Sequence, residues 1–167
     1  MPHGHKRSTR ESAGGTFNLG FVGTEMFKGA VIMLGLSALA IGGMIYLAGP
    51  DVTGNAFASI LRIAAPDTPQ LNGLKGADVD SELRFYAVLW CAFGAMALWG
   101  VRNLPERMHI LRLMLLVFWI GGVGRMVSYF AVGAPHPLFI VLMWIEIALP
   151  PLLIALSFRK AASGSAS

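Results

Sequence analysis

A chain of 167 residues and 17.9 kDa has the length of one domain, yet 55% of it is hydrophobic and only 13% charged, against roughly 25% charged in typical soluble domains. With a mean hydropathy of +0.63 and about 20 apolar residues needed per bilayer crossing, this composition excludes a soluble enzyme and a disordered linker. A disulfide scaffold is excluded too, because Cys91 is the only cysteine.

Residues 1–26 open with His3, His5, Lys6, Arg7 and Arg10 and continue rich in Gly, Ser and Thr. They read as a basic cytoplasmic tail, partly disordered, because too little apolar surface is present to offset the entropy of ordering. His3 and His5 belong to that solvated tail rather than to a metal tract. From Phe27 to Gly49 runs the first long apolar segment, longer than the 7–15 residues of a signal-peptide core and therefore read as a retained span.

The following loop, 50–83, is the one segment with room for structure outside the bilayer. Phe57, Ile60, Leu61 and Ala64 recur at helical spacing within 53–64. They predict a short helix lying in the outer interface with that face down, Thr53 as its N-cap and Pro66 and Pro69 ending it. Asp80 or Ser81 is expected to cap the second span. Three further apolar runs complete the set, the last stopping at Arg159 and Lys160. Spans are expected at about 27–49, 85–103, 108–130 and 138–158, within a transmembrane domain 27–158 followed by a cytoplasmic tail 159–167. The fold class is all-α: a polytopic four-helix bundle with one short interfacial helix.

Charge orients the bundle. Lys6, Arg7, Arg10, Lys28, Arg102, Arg107, Arg112, Arg159 and Lys160 fall on one side, and only Arg62, Lys75 and Arg84 on the other. By the positive-inside rule both termini are cytoplasmic, in a cytoplasmic (inner) membrane, and an even number of spans agrees. The pI near 9.6 is thereby explained by orientation. No continuous basic stripe exists, so nucleic acid is not a partner; membrane lipids are.

An ionised residue near the bilayer centre costs roughly 2.5–3.5 kcal/mol on insertion scales, which draws attention to Arg125 in GGVGRMVSYF and Glu146 in LMWIEIALPP. A link of about seven residues makes spans three and four antiparallel neighbours, and an Arg125–Glu146 ion pair is predicted in the outer half of the membrane. Gly121 and Gly122, one turn away, let another backbone approach, whereas Ser128 and Tyr129 stand one turn beyond on the same face. With Glu82, Arg84 and His136 at the outer side, these residues can line one polar pocket that opens outward. Pro150 and Pro151 deprive the Glu146 and Ile147 carbonyls of helical partners, so a kink is expected there.

Other residues carry plainer expectations. Gly35, Ala38, Gly42 and Gly43 pack span one against another helix. Trp90, Trp99, Trp119, Trp144, Tyr46 and Tyr86 are anchors or core, and Cys91 is inert. His109 and His136 lie at opposite ends and cannot share a haem or a metal. No cofactor, metal set or catalytic motif is read.

SELRFYAVLW at 81–90, GGVGR at 121–125 and PHPLFIVLMWIEIALPP at 135–151 resemble the motifs of a family of small four-helix bacterial integral membrane proteins known as a domain of unknown function. The resemblance covers roughly residues 30–157. It implies four transmembrane helices and no particular activity, and its motif positions here are Arg84, Arg125, His136 and Glu146. The leading expectation is a binding protein whose polar pocket holds a small molecule, a lipid headgroup or a quinone-like ligand, at Arg84, Arg125, Ser128, Tyr129, His136 and Glu146. It includes a role as accessory subunit of a larger membrane complex or as a homo-oligomer. Two other classes stay open. One is a proton-coupled transporter working as an oligomer, with Glu146 titrating and a hinge at Pro150. The other is a membrane enzyme using Glu146 or His136 as acid–base, which lacks an accompanying nucleophile or metal set. In either direction the ion pair has an alternative role, orienting helices without a ligand.

Overall fold

A computed structural model describes the backbone of residues 19–163 and the side chains of residues 22–158. Five helices follow in order: α1 (Leu19–Ala48), α2 (Pro50–Ala64), α3 (Ala77–Val101), α4 (Leu104–Val132) and α5 (Pro137–Ser163). The expectations for the N-terminal tail, for His3 and His5, and for the side chains of Lys6, Arg7, Arg10, Arg159 and Lys160 lie outside the described residues.

Val22–Ala48, Ala77–Val101, Leu104–Val132 and Pro137–Phe158 are each long and apolar enough to cross a membrane. Their outward faces carry Met33, Leu47, Val127, Phe130, Trp144 and Leu152, all exposed. That is far more contiguous apolar surface than a soluble monomer presents, and hydrocarbon is the solvent that suits it. The helices run up and down in turn, and each packs on two others around a ring: α3 on α1, α1 on α5, α5 on α4 and α4 on α3. Among the described residues neither diagonal pair brings its backbones close together.

α1 against α3 is the most extensive contact, and small residues make it. An added Cβ at Gly94 would lie 2.6 Å from the Gly35 carbonyl oxygen, and one at Gly42 would lie 2.8 Å from that of Ala87 and from the Cys91 sulfur. Ala38 and Ala87 are buried between them. With no hydrophobic drive between helices in lipid, such close backbone approach is what holds two spans together. Gly43, expected in this seam, faces open space instead, because it lies about 100° around the helix from Gly42.

Two apolar clusters close the ends. Phe27, Val31, Val101, Leu104, Leu111, Met114 and Leu153 fill the end at the α3–α4 link. At the other end Ala58 of α2 and Leu71 of the 65–76 segment pack on Leu138 at the start of α5, with Phe57, Leu61, Phe139 and Leu142 around them.

The α2 helix begins three residues earlier than its apolar spacing suggests. Gly49 is its N-cap at φ +90°, a backbone conformation that glycine adopts without a Cβ penalty, and Pro50 supplies a pre-set first helical turn. Thr53 is therefore inside the helix rather than capping it; its hydroxyl donates to the Gly49 carbonyl at 2.8 Å. The helix ends at Ala64, just before Pro66, as the prolines suggest. Its packed face also differs from expectation. Phe57 and Leu61 turn toward the protein, whereas Val52, Ile60 and Ile63 are exposed, Ile63 at 83%. The start of α3 is a further correction. Gly76 occupies the N-cap with no side-chain hydrogen bond, because the helix starts at Ala77 and leaves Asp80 and Ser81 inside it. The α5 helix runs through Pro150 and Pro151 to Ser163.

Candidate functional site

The link between α4 and α5 decides the site. α4 ends at Gly133, whose φ of +115° breaks the helix where a side chain would be strained, and Pro137 starts α5 three residues after Ala134. So short a link forces the two helices to be antiparallel neighbours. Gly122 sets how closely they approach: a Cβ there would stand 2.9 Å from the Glu146 Cβ and 3.1 Å from its carbonyl carbon. One turn on, Arg125 Nε donates to Glu146 Oε2 at 2.7 Å. Gly121 does not share this role, since nothing lies within 4 Å of its Cβ position.

The two partners are unequally covered. The Glu146 side chain is 7% exposed and the Arg125 side chain 36%. Arg125 spends only Nε on the pair, so its two Nη groups have no hydrogen-bond acceptor among the described residues. Its guanidinium carbon sits 5.8 Å from the centre of the Phe139 ring, within range of a weak cation–π attraction. A charge-assisted hydrogen bond in low dielectric is strong, but removing one partner would strand the other. The pair therefore behaves as a unit.

The remaining sequence-predicted residues distribute over three places. Arg84 bonds Asp80 through Nε at 2.7 Å and donates to the Tyr46 carbonyl. It thereby clasps the C-terminal end of α1 to α3 beside Gly49, away from Arg125. His136 is tied into the α2 end of the molecule. Its Nδ1 accepts from the Leu138 amide at 3.2 Å, which leaves the proton on Nε2 for the Pro69 carbonyl at 2.9 Å. Glu82 is exposed on the first turns of α3, and Ser128 is exposed on α4. Tyr129 lines an apolar groove of about 210 Å³ between α4 and α5, with Met126, Phe130, Ile140, Met143 and Trp144. The geometry thus brings Arg125 and Glu146 together, leaves Ser128 and Tyr129 one turn along, and gives Arg84 and His136 separate partners. Among the described residues no three His, Cys, Asp or Glu side chains gather as metal ligands would.

Two contributors were not legible as such. Phe139 flanks the guanidinium, and its seven-residue spacing from Glu146 on one helix face was the available signal. Arg112, read only as an orienting charge, donates from Nε to Ser157 Oγ at 2.8 Å and from Nη2 to the Ser157 carbonyl at 3.0 Å. It is a second clasp between α4 and α5, at the register that the Arg125–Glu146 pair dictates. A comparable tie at the α3–α4 link stacks Arg107 on the Trp99 ring at 3.7 Å.

Comparison with curated proteins finds no match, and neither does comparison with solved structures. A family model does match, over residues 26–157, which takes in most of α1 and α5, all of α3 and α4, the ion pair and both clasps. The chain belongs to the family described as a domain of unknown function, DUF4345.

Proposed function

We propose that this membrane protein binds a small ligand through Arg125, with Glu146 as the guanidinium's counter-ion. The observation that carries the reading is the half-used guanidinium: one-third exposed, bonded only through Nε, with neither Nη group meeting an acceptor among the described residues. An intramembrane charge is expensive to maintain and commonly marks a binding or transport function. A guanidinium with spare donors suits a carbonyl, carboxylate or phosphate oxygen. Ser128, one turn along, adds a hydroxyl, and Tyr129 a phenol. The same reading puts the chain in a cytoplasmic membrane with both termini on the cytoplasmic side, supported by the excess of Lys and Arg around the α3–α4 link and the two tails.

Native mass spectrometry of the detergent-purified chain tests it. The wild type should carry a co-purifying adduct that the double variant Arg125→Leu/Glu146→Leu loses, the double change keeping the pair's charge balance. A wild type without adduct, or one retained equally by the double variant, overturns the reading.

A further inference from the structure

We infer that the ligand of Arg125 is an amphiphile that reaches the site sideways, from the bilayer, through the seam between α3 and α4. This rests on the binding role proposed above for Arg125, and it adds the ligand's chemical class and its route.

The ring contacts and the tightest backbone approach across the seam fall in one half of it. Leu111, Phe118 and Arg125 are spaced by seven residues and share one face of α4. Leu111 packs so tightly on α3 that a Cβ at Gly100 would meet it at 2.5 Å. Phe118 stacks at 5.7 Å on both Trp90 and Phe93. Beyond Phe118 no hydrogen bond, ion pair or ring contact joins α3 to α4 among the described residues. Arg125, the next member of the stripe, is instead partly exposed. The residues beside it are small and uncovered: Gly121 has open space at its Cβ position, and Ser128 is exposed. On the facing stretch of α3, Tyr86 is half exposed.

At the end of the bundle nearest the pair, α2 packs across α1, α3 and α5. Ala58 and Leu71 are buried against Leu138, and Phe139 belongs to the same packed cap. The 65–76 segment is held down by His136 Nε2 donating to the Pro69 carbonyl and by Asn55 Nδ2 donating to the Leu71 carbonyl at 3.0 Å. A molecule already in the bilayer meets the seam directly, and its apolar chain can remain in hydrocarbon while its head reaches the guanidinium. The class that fits is an acyl-chain lipid with an anionic, hydrogen-bond-accepting head such as a phosphate.

The experiment titrates the full-length chain in detergent with dioleoyl phosphatidylglycerol and, separately, with glycerol 3-phosphate, reading bound mass by native mass spectrometry. The wild type should bind the lipid at least tenfold more tightly than the free phosphate ester. Arg125→Leu/Glu146→Leu should abolish that binding. Gly121→Leu, which has open space at its Cβ position and adds bulk beside Arg125, should weaken lipid binding at least tenfold with unchanged thermal stability. Gly124→Leu, an exposed position beside Gly121 with open space at its Cβ, gives the same readout should Gly121→Leu unfold. If the free ester binds as well as the lipid, or if both seam variants bind lipid normally while the double variant does not, the sideways route is wrong and the role of Arg125 stands. If the double variant leaves binding of both probes unchanged, or neither probe binds the wild type, the binding role of Arg125 falls and this inference with it.

Discussion

Arg125 and Glu146 are the two residues whose side chains pay most for being inside a membrane, and they lie 2.7 Å apart. The physics of such a pair is asymmetric. Removing Arg125 alone leaves a carboxylate that is 7% exposed without its donor. Breaking a buried pair costs about 3–5 kcal/mol, and the partial exposure of Arg125 sets the expectation at the lower end, about 3 kcal/mol. Replacing both residues by leucine should restore most of that stability, since two apolar side chains require no desolvated charge. Equilibrium unfolding of Arg125→Leu, Glu146→Leu and the double variant in mixed detergent micelles checks this: near-additive losses would mean the two groups act independently. The adjacent glycines supply a sharper contrast. Gly122→Leu would drive a side chain into the backbone of Glu146 and should cost at least about 2 kcal/mol as an overpacked contact. Gly121→Leu has open space at its Cβ position and should stay within about 0.5 kcal/mol, as surface changes generally do. Both glycines read alike in the sequence; which of them faces α5 depends on how α4 is rotated about its axis.

At the scale of elements, α2 shows most clearly what spacing alone leaves open. Its apolar residues recur all the way round enough of the helix to make two faces, and hydropathy does not say which one the protein covers. Packing on Leu71 and Leu138 takes Phe57 and Leu61, and Val52, Ile60 and Ile63 are left outward, continuing the exposed apolar end of α1 at Leu47, itself 81% exposed. On that geometry the outward face should lie in lipid, with Arg62, whose buried Nε has no hydrogen-bond partner among the described residues, near the headgroups. A tryptophan introduced as Ile63→Trp in proteoliposomes should be quenched strongly by lipids brominated near the glycerol backbone; the absence of quenching would place α2 in water or against another protein. The α1–α3 pair illustrates the opposite case. The small-residue spacing on α1 pointed to close packing, and Gly35, Ala38 and Gly42 provide it, because a glycine ridge has few other uses within a span.

For the whole molecule, four long helices in an up-and-down ring make an even number of crossings, so both chain ends belong on one side of the membrane. On the orientation proposed above, that side is the cytoplasmic one, a reading the distribution of Lys and Arg supports. In a Cys91→Ala background, Gly73→Cys, in the exposed segment between α2 and α3, should react with a membrane-impermeant maleimide in intact cells. Ser167→Cys should react only after permeabilisation. The reverse pattern would invert the orientation.

Hydropathy along the chain is a property of each helix alone, so the number of spans, their order and the all-helical class were readable from the amino acids. So was the Arg125–Glu146 contact, because two costly charges on helices joined by a short link have few other partners. The fates of Arg84 and His136 were not readable, since Asp80, the Tyr46 carbonyl and the Pro69 carbonyl become partners only once α1, α2 and the 65–76 segment are in place. Nor was the face that α2 buries, or which half of the α3–α4 seam holds its ring contacts. Those are settled by helix rotation and lateral packing, and such degrees of freedom arise only between elements.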